Sequence, residues 1–223
     1  MKIQYMSDLH LEMKENLDYF KANGFEVTGD VLVLAGDTMY LRELSPRLMF
    51  WNWASKNYRQ VLVIPGNHEY YGYSDVAERG DCWQLMFRKN IVMRGLNDFD
   101  RIVYNGHRFT PDDFNLEHQK CLHFLKQAVA ESTARHIVVV THHLPTLEVV
   151  SKQHRDSVLN GAFASELGYY IADSCIDAWI YGHSHTNICT QIGNTQIVCN
   201  QIGYVRQCEQ LVNGFDPGRY LEL

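Results

Sequence analysis

The sequence predicts an α/β fold, largely parallel with an antiparallel part, whose ligand site sits at the C-terminal ends of its strands. One pattern carries the parallel part. Five short apolar runs each end in side chains that can bind a metal: Ile3 to Ser7 before Asp8 and His10, Val31 to Ala35 before Asp37, and Val61 to Ile64 before Asn67 and His68. The others are Ile137 to Thr141 before His142 and His143, and Ala178 to Tyr181 before His183 and His185. Strands linked by helical crossovers run parallel, with their C-terminal ends along one sheet edge, where open α/β sheets place ligands. Nitrogen and oxygen donors are therefore expected to converge on one rim.

The clearest strand is Asp30 to Asp37, Asp-Val-Leu-Val-Leu-Ala-Gly-Asp. Its unbroken apolar run reads as buried on both faces, and Gly36 lets the backbone turn sharply to deliver Asp37. Between Asp8 and Asn23-Gly24 the chain is charged and aromatic, which suits a loop or short helix over the rim. Glu12 reads there as a solvated carboxylate in preference to a metal ligand. Ser45-Pro46 is a cap followed by proline at the first helical position, and Leu48, Phe50, Trp51, Trp53 and Ala54 continue that helix, the two tryptophans as core. A second helix is expected over Asp81 to Lys89.

Arg94 to Gly106 is polar and aperiodic and reads as loop. Thr110-Pro111-Asp112-Asp113 opens a long helix: Thr110 caps, Pro111 takes the first position, and acid is favoured by the helix dipole. Leu116, Cys121, Leu122, Leu125, Ala128 and Val129 make its expected buried face, with His118 and His123 as surface or satisfied histidines. Leu144 to Glu166, containing Pro145, His154, Arg155 and Gly161, is a long connection on the rim and is read as a lid or substrate wall. Alternation from Asn187 to Ile192, the turn Gly193-Asn194, and alternation from Thr195 to Cys199 predict an antiparallel hairpin.

Composition bounds the function. The 223 residues, 46% apolar and 12% aromatic, suffice for one domain over 1–223 with a substantial core. A net charge of -6 without a basic stripe argues against duplex nucleic acid as a partner. There is no long apolar leader-like region and no run near the roughly 18 residues of a membrane span, so a soluble, cytoplasmic protein is expected. Six cysteines without a C-x-x-C pair read as reduced thiols. Oligomeric state has no signature in the sequence.

The donor set is Asp, His and Asn without thiolate, which suits borderline divalent ions such as Mn, Fe, Zn or Ni, and it is too large for one ion. Two metals are the natural count. Asp8-Leu9-His10, Gly36-Asp37, Gly66-Asn67-His68-Glu69, Thr141-His142-His143 and Gly182-His183-Ser184-His185 resemble the five motifs of the calcineurin-like metallophosphoesterase superfamily. Asn200-Gln201-Ile202-Gly203-Tyr204 and Phe215-Asp216-Pro217 are similar to its bacterial cyclic-nucleotide-phosphodiesterase-like branch.

The resemblance implies a four-layer α/β/β/α sandwich with two mixed sheets. It implies Asp8, His10 and His185 on a first metal, Asn67, His142 and His183 on a second, and Asp37 bridging ions roughly 3.5 to 4 Å apart. A hydroxide held between them would attack phosphorus, with His68 as catalytic residue at the leaving group and Asn67, His68 and His143 around the substrate. Two features depart from the pattern. Many members continue G-D-x-x-D-R, whereas Asp37 is followed by Thr38-Met39-Tyr40-Leu41, and the segment around 90–110 looks shortened. The expected function is a metal-dependent phosphoesterase acting on a small-molecule phosphoester. A metal-binding scaffold without catalysis and a nuclease are the alternatives.

Overall fold

The computed structural model describes residues 1–41, 48–72 and 96–223. The helix start at Ser45-Pro46 and the helix expected over 81–89 lie outside them. Strands β1 (Lys2–Met6), β2 (Val31–Ala35) and β3 (Gln60–Ile64) run parallel, pairing Ile3 with Val31 and Val31 with Gln60. The first helix, α1 (Lys14–Asn23), lies between β1 and β2, and α2 (Leu48–Asn57) between β2 and β3.

Side-chain alternation explains why β2 is apolar throughout. Val31, Val33 and Ala35 face one way, with Ile3 and Tyr5 of β1, while Leu32 and Leu34 face the other and pack with Phe20 of α1 and with Phe50 and Ala54 of α2. Trp51 and Trp53 are partly buried against this second cluster, as core tryptophans. Each fully buried Leu or Val side chain contributes roughly 1.5–3 kcal/mol. By contrast β3 is the edge strand of this sheet among the described residues, and Leu62 and Val63 are each 45% exposed.

The stretch read as loop after Arg94 holds structure. A one-turn helix α3 (Asp98–Arg101) precedes β4 (Val103–Tyr104) and β5 (His107–Arg108), which pair antiparallel. Between them Asn105 and Gly106 both have positive φ, 48° and 75°, the backbone that a two-residue hairpin turn requires. An Asn-Gly pair specifies this turn even where strands are too short to show alternation.

Helix α4 (Pro111–Glu131) begins with the predicted capping box: Thr110 Oγ1 accepts from the Asp113 amide, and Asp113 Oδ2 accepts from the Thr110 amide at 2.9 Å. Its buried stripe differs from the apolar count. Phe114, His118, Cys121 and Val129 line it, with Leu122 and Leu125 partly buried, whereas Leu116 is 46% exposed and Ala128 and His123 are exposed. Glu117 is buried because it accepts from Tyr104 Oη and Lys120 Nζ, both at 2.6 Å, so a polar residue occupies a core position that hydropathy assigns elsewhere.

The second sheet contains β6 (Val138–Val140), β7 (Ala178–Tyr181), β8 (Thr190–Ile192) and β9 (Thr195–Cys199) in the order β6-β7-β9-β8, with a short helix α5 (Gly168–Ala172) before β7. The hairpin β8–β9 is antiparallel, as predicted, and the other pairs are parallel. Strand β10 (Tyr220–Glu222) joins β1 antiparallel, so both sheets are mixed. Ala178, Ile180 and Val198 meet the Ile3, Val31 and Val33 face, while Trp179, Tyr181 and Ile197 pack with Val129 of α4. The layers are therefore helix, sheet, sheet, helix.

This arrangement corrects the expectation of one rim on one sheet. Asp8, Asp37 and Asn67 follow strands of the first sheet, whereas His142, His183 and His185 follow strands of the second. Five adjacent strands would spread the donors over roughly 19 Å at ~4.8 Å per step, and face-to-face sheets bring two rims together instead. Among the described residues, no helix is long and apolar enough to cross a membrane.

Candidate metal centre

The donors are delivered by unusual backbone. Asp8, His10, Asp37, His183 and His185 all have φ between 45° and 74°, a left-handed conformation that costs an ordinary L-residue roughly 1–2 kcal/mol. Such conformations persist where surrounding structure over-determines them. Here the turns after β1 and β2 bond each other, Asp8 N to Gly36 O at 3.0 Å and His10 N to Asp37 O at 2.9 Å. Buried Glu69 accepts from the amides of Asp37 (2.9 Å), Thr38 (2.7 Å) and Gly66 (2.6 Å), clamping the ends of β2 and β3. Burial, then the Asp37 carboxylate, pushes its carboxyl up to about 7. Glycine is required at 36 and 66, because a Cβ would overlap the His142 ring at the first and the Asp37 carboxylate at the second.

Two clusters of donor atoms result. In the first, His10 Nε2 lies 3.0 Å from His185 Nε2, which is 3.4 Å from Asp8 Oδ1. In the second, His142 Nε2 lies 3.1 Å from His183 Nδ1, 3.2 Å from Asn67 Oδ1 and 3.4 Å from Asp37 Oδ1. Asp37 turns its other oxygen, Oδ2, toward His10 Nε2 at 3.9 Å. All seven residues expected as metal ligands are thus brought together, and a third trio, His10, Glu12 and His68, adjoins the first cluster.

The chemistry of these contacts fits divalent cations. His10 Nδ1 faces Glu12 Oε1 at 3.1 Å, His142 Nδ1 faces Ala35 O at 2.9 Å, and His185 Nδ1 faces Glu209 Oε2 at 2.8 Å. Each partner oxygen can only accept, so each Nδ1 carries a proton, and it is Nε2 that presents a lone pair when the ring is neutral. Lone pairs then face lone pairs: His10 against His185, and His142 against the Asn67 oxygen. A proton shared between them or a divalent ion relieves that, and the two compete for the same atoms. Burial opposes protonation of His142 and His185, but Asp37 and Asp8 raise His142 to about 9, and Asp8 and Glu209 raise His185 to about 10. His183 is held well below its ordinary value by burial, then by His143 and His142. Burial resists the charge on Asp37, yet His142 and His68 keep its carboxyl well below the usual range.

Supporting residues escaped the sequence reading. Asn67 Nδ2 donates to Asp98 Oδ1 and to Tyr71 Oη, both at 2.9 Å, and Tyr71 donates to Asp98 at 2.5 Å. That fixes the amide with its oxygen toward His142. Gln201 Oε1 accepts from the His185 amide at 2.6 Å. Glu12, expected in solvent, has a side chain only 2% exposed and accepts from both His10 and His68. The signal for Glu69 lay in the Gly66-Asn67-His68-Glu69 motif; Asp98 and Glu209 had none.

His68 begins a 3-10 turn, His68–Tyr70. Its amide donates to Asp37 Oδ1 at 2.9 Å, and its ring centroid lies 4.4 Å from that of His10 and 4.5 Å from that of Tyr71. Burial disfavours its charge, but Asp37 and Glu12 outweigh burial and raise its pKa. His143 is buried behind the second cluster, 4.3 Å from the His183 ring. From the long connection, Phe163 lies 4.5 Å from the His183 ring and, with Leu144, Val150, His154 and Ser184, lines a cavity of about 210 Å³. That segment is a wall of the site.

Two clusters of nitrogen and oxygen donors that could each hold a metal ion thus meet where the two mixed sheets face each other, with Asp37 between them. The profile of the calcineurin-like phosphoesterases matches residues 1–187, and the chain belongs to that family. It is 23% identical over 278 aligned positions to an uncharacterised protein of Acanthamoeba polyphaga mimivirus, covering 99% of this chain and 96% of that protein. Its fold is similar to the crystal structure of phosphopantetheinyl hydrolase (PptH) from Mycobacterium tuberculosis, with a TM-score of 0.69 at 13% identity, covering 99% of this chain and 95% of the other. The family brings the general activity, phosphoester hydrolysis dependent on divalent metal ions.

Proposed function

We propose that this protein hydrolyses a small-molecule phosphoester at a dinuclear centre, with Asp8, His10 and His185 on one ion, Asn67, His142 and His183 on the other, and Asp37 on both. The observation that carries this is Asp37, whose two carboxylate oxygens each turn toward a different cluster. Divalent Mn, Fe, Zn or Ni ions in these clusters supply Lewis acidity and an activated water near neutral pH. The residues do the rest. Glu209, Glu12 and the Ala35 carbonyl hold three imidazoles in the tautomer that presents Nε2. His68, with Nδ1 engaged by Glu12, has Nε2 to donate to the leaving oxygen. Asn67 and His68 border the substrate, and His143 backs His183 from below.

Substrate class follows from charge. Leu41 stands where the G-D-x-x-D-R pattern places its arginine, and Arg155 shares a cleft with Glu148, Asp156 and Glu166. A phosphodiester carries one charge fewer than a monoester dianion, so diesters or cyclic nucleotides suit the site at least as well. The name of the mycobacterial structure adds phosphopantetheinyl esters to the compounds worth assaying. The net charge of -6 disfavours a nuclease, and the free cysteines suit a cytoplasmic setting. Metal-loaded protein assayed against phosphomonoesters, diesters and cyclic nucleotides tests the proposal. Turnover of at least one class is expected, and its absence throughout would favour a non-catalytic scaffold.

A further inference from the structure

We propose that Glu12 is a positioning residue: one of its oxygens holds His68 in place for the leaving group while orienting His10 in the first donor cluster. The idea rests on the dinuclear phosphoesterase reading above. Glu12 Oε1 lies 2.7 Å from His68 Nδ1 and 3.1 Å from His10 Nδ1, and the two rings meet edge to face at 4.4 Å. A carboxylate oxygen has two lone pairs and only accepts, so it receives an N–H from each ring. The geometry keeps both Nε2 atoms off Glu12, with His10 Nε2 directed at His185 and His68 Nε2 left for substrate.

Burial makes this arrangement specific. A carboxylate 2% exposed is tolerated only when paired and hydrogen-bonded, and both imidazoles supply that. Among the described residues after Asp37, Thr38 to Leu41 carry no carboxylate, and the Tyr40 ring lies 6.0 Å from that of His68. The partner comes instead from the turn after β1, two residues beyond His10. His68 and the first metal cluster are therefore aligned from one atom, so the leaving-group acid and the metal ligand cannot move independently.

The test compares wild type with Glu12→Ala, Glu12→Gln, His68→Ala and the double variant Glu12→Ala/His68→Ala, all at saturating metal. Glu12→Ala should lower kcat for alkyl phosphoesters roughly 10²-fold, the low end of positioned acid help, and slow activated aryl esters less. Glu12→Gln, which keeps an acceptor oxygen, should recover most of the rate. With the His10 site saturated by metal, the double variant should be no slower than His68→Ala, because Glu12 then affects turnover through His68. Losses that multiply, or a Glu12→Ala rate equal to wild type at saturating metal, would overturn the proposal by assigning Glu12 to His10 alone.

A readout independent of turnover is the downfield imidazole proton spectrum of the protein without added metal. The His68 Nδ1–H resonance, identified by its loss in His68→Ala, should disappear in Glu12→Ala. Its persistence there would refute the link even in an active enzyme. Wild type that shows this resonance but hydrolyses no phosphoester would instead sink the catalytic reading and leave the contact standing.

Discussion

Asn67 and Asp98 are joined by a buried hydrogen bond of 2.9 Å from amide to carboxylate, and that contact decides which end of the amide faces His142. With Asp98 in place, the Asn67 oxygen lies 3.2 Å from His142 Nε2. Asp98→Ala removes the acceptor and frees the amide to rotate. Loss of such an outer partner typically costs 10- to 100-fold in metal affinity, and the second cluster should bear it. Metal titration of the variant should show one site weakened and one nearly unchanged; equal affinity at both sites would remove Asp98 from this role.

Much of this site was legible because it is local. Each donor follows its strand within a few residues, so apolar runs ending in Gly36-Asp37 or Gly182-His183 announce themselves. Partners that fix the donors are not local: Glu12 meets His68 across 56 residues, Asp98 meets Asn67 across 31, and Glu209 meets His185 across 24. No periodicity or spacing encodes such pairs. The stacking of two sheets was likewise invisible in strand patterns and came from the motif resemblance. Asn105-Gly106 was readable as a hairpin turn, but two-residue strands give too little alternation to draw attention to it.

Protons and metal compete for the same atoms. Without metal, His142 and His185 are raised from 6.5 to about 9 and about 10, burial being outweighed by Asp37 and Asp8 and by Asp8 and Glu209 respectively. A histidine raised on folding adds stability that is fully present below pH 6.5 and is lost as pH rises through 9 and 10. Metal-free protein should therefore need progressively less urea to unfold between pH 7 and 10. Metal binding at pH 7 must displace these protons. Calorimetry in two buffers of different ionisation enthalpy should show proton release; buffer-independent heats would contradict it.

Substrate charge gives a further expectation. Diesters or cyclic nucleotides should be hydrolysed with kcat/KM at least comparable to matched monoesters. Arg155→Ala should leave both unchanged, because Arg155 lines a cleft with Glu148, Asp156 and Glu166. A strong monoester preference that collapses in Arg155→Ala, with diester turnover intact, would show that the wall of the site supplies the missing cation.

If Asp37 joins two metal sites, elemental analysis of dialysed, metal-loaded protein will count both. Wild type should retain two divalent transition ions per chain, and Asp37→Asn, which exchanges a bridging carboxylate for an amide of the same shape, should lose both. One ion in the wild type, or an unchanged ratio in the variant, would contradict it.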